Sequence, residues 1–307
     1  MDFEILIDSS FSEHCSSKSI SPIHNKYVLS LVNDFEDCKW RFKHFQNFIW
    51  DNIAETSLSI TERQALVDQS HSLLTAAAEN LRLVDKDQSK DISKGSELAE
   101  ILLYGIMKHH YGALPVVPKI FYKQNTQDNA KGADSVHLVI KDNDFTVWFG
   151  EAKFYNKIED ARLASIVSSV ANSLDTKKLK KENSIITNVN DIDFLIEDET
   201  LRKSIRDALS CRISIDSLKP KIHVPIFILH ECEITRSCTR MDSDYINEIK
   251  DYHIDRANAF FKKQIEGLKG VHLYDQVTFH IILFPVPDKQ RIVDRFVRKV
   301  EQYKEDD

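Results

Sequence analysis

Apolar residues along this chain follow two rhythms, one near 3.6 residues and one near two, and together they lay out most of its elements. Over residues 27–55 the apolar and aromatic positions Val28, Leu31, Phe35, Trp40, Phe42, Phe45, Phe48 and Ile49 recur at spacings near three and four, which predicts helix. A capping box of Thr61 with Gln64 predicts a second helix reaching about residue 83. Residues 2–7 read as a short strand, and the polar run 85–91 as a linker. Residues 96–111 are apolar nearly all round, at Leu98, Ile101, Leu102, Leu103, Ile106 and Met107, the pattern of a buried helix.

Past that helix the period shortens. Residues 118–122 read as a strand. Residues 135–141 alternate at Val136, Leu138 and Ile140, residues 145–152 form a second strand, and Asp142-Asn143-Asp144 supplies hairpin-turn chemistry between them. Helical stripes follow over 158–174 and 199–209, with a short strand at 184–187. Two strongly apolar strands, 221–229 and 276–284, enclose a long helix at 242–268, and a basic helix over 288–304 closes the chain. Strands alternating with helices predict an α/β fold, a mixed central sheet flanked by helices. The division predicted is a mainly helical N-terminal region, 1–90, suited to docking a partner, and a catalytic domain over 91–307.

The hairpin carries the strongest chemical signal. Asp134 precedes its first strand, and Glu151 and Lys153 stand at the end of its second, 17 residues on. In an antiparallel pair those ends are adjacent, with opposed side chains about 5 Å apart. Two carboxylates that close repel by about 3–4 kcal/mol at an effective dielectric near 20, and a cation between them removes the cost. Residues two apart on a strand share a face, so Glu151 and Lys153 converge while Ala152 points away. Phosphodiester hydrolysis needs this set: carboxylate oxygens for Mg²⁺, and an ammonium to stabilise developing charge or to orient the attacking water. A second Glu-x-Lys, Glu248-Ile249-Lys250, lies in predicted helix, where the two side chains diverge by about 200°. Glu97 and Glu100, the acids of the apolar helix, are candidates for one further carboxylate; first-turn helix chemistry explains them as well.

Composition narrows the setting. The 307 residues include 29% charged and 42% hydrophobic, with a net charge of −7, so a basic excess for gripping DNA unaided is missing and a partner is expected to deliver it. No apolar run is long enough to span a membrane. The acidic start, without a signal peptide, and five scattered cysteines imply reducing cytoplasm. His230, Cys232 and Cys238 match no common zinc spacing and read as structural. The basic runs 177–181 and Arg291, Arg295, Arg298, Lys299 read either as phosphate contacts or as solvated faces and contacts to an acidic partner.

These residues resemble the PD-(D/E)xK nuclease superfamily, with Asp134 in the Asp position, Glu151 and Lys153 in the Glu-x-Lys positions, and Glu97 or Glu100 in the helix position; Ala133 replaces the Pro. More narrowly, residues 95–104, 131–137 and 149–155 resemble the HamA family, the nuclease subunits of Hachiman anti-phage defence systems. The resemblance implies a restriction-endonuclease-like core and a Mg²⁺-dependent deoxyribonuclease, Mn²⁺ substituting. It also implies a HamB-like superfamily 2 helicase as partner, which surveys DNA and controls the nuclease. In that reading Asp134, Glu151 and Glu100 hold the metal. Two alternatives remain open: a non-catalytic adaptor with a nuclease-like fold, and a stand-alone repair or restriction nuclease.

Overall fold

The computed structural model describes residues 3–15, 20–82, 95–122, 133–188 and 191–304. The 85–91 linker, the end of the helix expected to reach residue 83, and Lys131 and Gly132 lie outside the described residues. The first strands are β1 (Glu4–Ser10), β2 (Lys26–Val32), β3 (Phe35–Glu36) and β4 (Lys39–Trp40). Helices α1 (Phe42–Ser57), α2 (Ile60–Ala65), α3 (Ser70–Glu79) and α4 (Ser96–Tyr111) follow, then β5 (Leu114–Val117) and the single turn α5 (Lys119–Tyr122). The hairpin is β6 (Ser135–Lys141) and β7 (Asp144–Tyr155). After it come α6 (Asp160–Ser173), α7 (Thr176–Asn188), α8 (Asp191–Leu195), α9 (Glu199–Leu209) and α10 (Ile215–Leu218). The chain closes with β8 (Ile222–Glu231), α11 (Glu233–Ser237), α12 (Ser243–Leu268), β9 (Thr278–Val286) and α13 (Lys289–Lys304).

Seven strands form one sheet in the order β1-β2-β9-β8-β7-β6-β5. The four central strands β2, β9, β8 and β7 are mutually parallel, and antiparallel pairs add β1 at one edge and β6 and β5 at the other. Parallel strands joined by helical crossovers are covered on both faces, so their sequences are apolar almost without interruption. The alternation sorts them. Ile226, Ile228, Ile281 and Leu283 pack into the layer of α6 and α12, whereas Phe227, Leu229, Ile282 and Phe284 pack into that of α1, α3, α4 and α13.

This two-sided burial explains a departure from the sequence expectation. Residues 27–41 are not helical: Val28 faces the α6–α12 layer and Leu29 and Leu31 face the other, so consecutive apolar residues here mark a covered strand, β2. The segment before residue 90 therefore supplies two strands to the sheet, and helix begins only at Phe42. The expected helix from Thr61 is two helices, separated near Asp68 at φ 66°, and the capping box is Ser59 with Glu62. The strand expected at 118–122 lies earlier, at Leu114–Val117, Lys119–Tyr122 being the turn α5, and residues 184–187 continue α7. No helix among the described residues is long and apolar enough to cross a membrane. His230 is buried and hydrogen-bonded to His253 at 3.0 Å, a core pairing.

Candidate functional site: two carboxylates joined by a lysine

The β6–β7 turn sets the register on which the site depends. Asp142 and Asn143 take φ of 52° and 59°, left-handed values that Asp and Asn tolerate and that a two-residue type I′ hairpin requires. From Lys141 opposite Asp144 the strands pair without a slip to Ser135 opposite Gly150. Asp134 is the next residue out, and its amide donates to the Gly150 carbonyl at 2.8 Å. Its side chain is thereby set beside Glu151.

Three charged groups meet there. The Lys153 ammonium lies 3.3 Å from Asp134 Oδ2 and 2.6 Å from Glu151 Oε1. The Ala152 amide donates to Asp134 Oδ2 at 3.0 Å, which fixes that carboxylate from the backbone. Ser169, on α6, donates its hydroxyl to Glu151 Oε1 at 2.5 Å. Glu151 and Lys153 share the α6 face of β7, while Ala152 and Phe154 pack into the α4 layer. Glu151 is only 5% exposed, whereas the Lys153 and Asp134 side chains keep 29% and 19% of their surface, so the cluster opens on the side of those two.

The electrostatics follow from that burial. Loss of hydration, and then the Asp134 charge, push the Glu151 carboxyl above the ordinary glutamate range, against the opposing pull of Lys153 and Ser169. Burial also works against the Lys153 charge, yet Asp134 and Glu151 outweigh it and hold its pKa above that of a free lysine. The ammonium is therefore secure at neutral pH, and the buried glutamate is the member whose charge is costly.

The helix glutamates have different fates. One oxygen of Glu97 accepts the Arg82 amide at 2.9 Å, tying α4 to the residues before it. Glu100 is buried on α4, a helix whose Leu98, Ala99, Ile101 and Leu102 pack in the same layer as Ala152 and Phe154. Among the described residues, no three His, Cys, Asp or Glu side chains gather in a metal-binding group; the fold brings together Asp134 and Glu151.

Two contributors escape a reading by motif. Ser169 sits three residues beyond Ile166 on the stripe that α6 buries, and a hydroxyl on such a stripe is the signal that marks it. Gly150 precedes Glu151 where a Cβ would collide with the Ser135 hydroxyl and stand 2.8 Å from Leu103 of α4. Its missing side chain lets helix and hairpin close on the site.

A family model described as HamA matches residues 8–300 of the chain. No curated protein matches it.

Proposed function

The chain belongs to the HamA family and is thus a Hachiman-associated protein, and from that premise we propose that it is a metal-dependent DNA nuclease, the effector of an anti-phage defence complex, with Asp134, Glu151 and Lys153 as its reaction centre. The observation that carries this reading is the convergence of two carboxylates on one lysine at 3.3 and 2.6 Å, at the mouth of a hairpin. It resembles the arrangement of the PD-(D/E)xK superfamily.

The donor set suits Mg²⁺, with Mn²⁺ substituting. Both hydrogen-bonded contacts of Glu151 fall on Oε1, and among the described residues Oε2 has no hydrogen-bond partner. Asp134 offers a second, half-buried carboxylate, and hard oxygen donors of this kind are those Mg²⁺ prefers. When bound, a divalent cation neutralises phosphoryl oxygens and lowers the pKa of a ligated water. The protein's own groups do the rest. Ser169 and the Ala152 amide fix the two carboxylates, so little reorganisation remains when charge develops. Lys153 directs its ammonium to the open side, where it stabilises negative charge on the phosphoryl group. Glu100, buried on α4, is the proposed third carboxylate for the metal.

The net charge of −7 favours delivery of DNA by a partner, for which a HamB-like superfamily 2 helicase is the reading that agrees with the family. The test is degradation of plasmid and linear DNA in Mg²⁺, with and without the helicase and ATP. Wild type is expected to cut and Glu151→Ala to lose cutting by about a hundredfold or more. A Glu151→Ala variant that cuts as well as wild type places the chemistry elsewhere. If neither cuts even with helicase and ATP, the chain is a non-catalytic subunit.

A further inference from the structure

A groove of about 640 Å³ runs along α13, lined by Arg291, Arg295, Arg298 and Lys299. The apolar side of this helix, Ile292, Val293, Phe296 and Val300, is buried in the core, so the cations occupy its outer stripe. Three of them are held there by aromatic rings of α1. The Arg291 and Arg295 guanidinium groups lie 4.7 and 5.4 Å from the Phe42 ring centroid, and the Lys299 ammonium 4.2 Å from that of Trp50. Such contacts orient a cation without neutralising it.

Asp51 is the one carboxylate among the described residues whose charge acts on Lys299, and it forms no ion pair with it. Among the described residues none of the four stands within 4.0 Å of a carboxylate. The two acids on the groove are engaged within the helix: Asp288 accepts the Arg291 amide at 2.9 Å, and Asp294 accepts the Gln290 side chain at 2.7 Å. Arg291, Arg295 and Lys299 are spaced four apart, where like charges on a helix repel. An acidic protein that maintains this repulsion has a row of cations about 12 Å long, suited to a repeating anion rather than a single one.

The row also begins in the right place. Lys289, the first residue of α13, donates its ammonium to the Phe154 carbonyl at 2.9 Å, and its amide to Glu231 at 2.9 Å. Phe154 follows Lys153. The groove thus starts at the ends of β7 and β8, on the face of the sheet opposite Glu151 and Lys153 but at the strand ends adjoining them.

We propose that the α13 groove binds the phosphate backbone of a nucleic acid and leads it over the ends of β7 and β8 toward Asp134, Glu151 and Lys153. The destination rests on the nuclease reading; the phosphate binding stands on the groove alone. Positively charged grooves backed by aromatic rings are how proteins track a backbone without reading its sequence.

The experiment measures binding apart from cutting. Full-length Glu151→Gln protein, in EDTA, is titrated against fluorescein-labelled single- and double-stranded oligonucleotides at two salt concentrations. The Arg291→Gln/Arg295→Gln/Arg298→Gln triple variant in the same background is expected to bind about tenfold or more weakly at low salt, and its log–log salt slope to fall by about 2. Phe42→Leu, which keeps every charge, is expected to weaken binding about two- to fivefold. Replacing Lys177 and Lys178 by Gln is expected to leave affinity within about twofold. The proposal is overturned if the triple variant melts like its parent and binds DNA within about twofold of it, or if it keeps DNA affinity but no longer retains the helicase, which makes the groove a face for an acidic protein. Tenfold weaker binding together with a wild type that never cuts upholds the groove and removes the nuclease reading.

Discussion

Lys153→Met is expected to lower DNA cleavage by a factor of about 10² to 10³, the loss that follows removal of one pre-set donor to developing charge. The side chain is of similar length, so packing on β7 is preserved and the change is chiefly in charge. With the ammonium gone, Asp134 and Glu151 face each other without the cation that now lies 3.3 and 2.6 Å from them. Their repulsion, about 3–4 kcal/mol at an effective dielectric near 20, is then relieved by protonation, and the Glu151 carboxyl rises further. Excess Mg²⁺ is expected to restore the melting temperature of the variant while leaving cleavage impaired. Cleavage by Lys153→Met within tenfold of wild type would show that the lysine is an ion-pair partner and no more.

The second large effect is expected at Gly150. Gly150→Val places a Cβ with two methyl groups where even a Cβ alone meets the Ser135 hydroxyl and stands 2.8 Å from Leu103 and 3.4 Å from Pro225. Overpacking of this kind costs about 1–3 kcal/mol. Because Gly150 is paired with Ser135 and accepts the Asp134 amide, the displacement opens the hairpin at the residues that carry the carboxylates. The variant is expected to melt lower, and its folded fraction to lose about a hundredfold in cleavage, since small displacements of reacting groups cost that much. A variant that melts lower but cuts normally below its transition would separate packing at Gly150 from site geometry.

Most of what positions the site was legible because the hairpin is local. Alternation in 135–141, the Asp-Asn-Asp turn and the Glu-x-Lys spacing depend on near neighbours, and the structure follows them from Ser135 opposite Gly150 to the turn. The buried helix α4 was equally plain, since residues 98–107 are apolar nearly all round. Elements whose surroundings come from distant sequence were harder. β2 lies between β1 and β9 and is apolar toward both faces, so its run over 28–32, broken only by Ser30, has no local mark of strand. The Ser169 contact is likewise a product of packing: α6 must dock on β7 before its hydroxyl meets Glu151. Glu100 lies deeper along α4 than Glu97, and the fold separates them: Glu97 accepts the Arg82 amide, and Glu100 is buried.

The central claim, that Asp134 and Glu151 hold a divalent cation, is tested most directly by Mg²⁺ titration of the chain alone, because binding requires neither DNA nor helicase. A carboxyl held above its ordinary pKa stabilises the fold at low pH, and that contribution is lost as pH rises through the folded value. Metal-free protein should therefore lose stability as the buried glutamate ionises, and Mg²⁺ should restore it, displacing a proton wherever the carboxyl is still protonated. Calorimetric titration of wild type, Asp134→Asn and Glu151→Gln is expected to show Mg²⁺ binding to wild type, proton release that grows toward the glutamate's raised pKa, and binding weakened by about tenfold or more in each variant. Equal Mg²⁺ affinity in all three proteins would contradict the assignment.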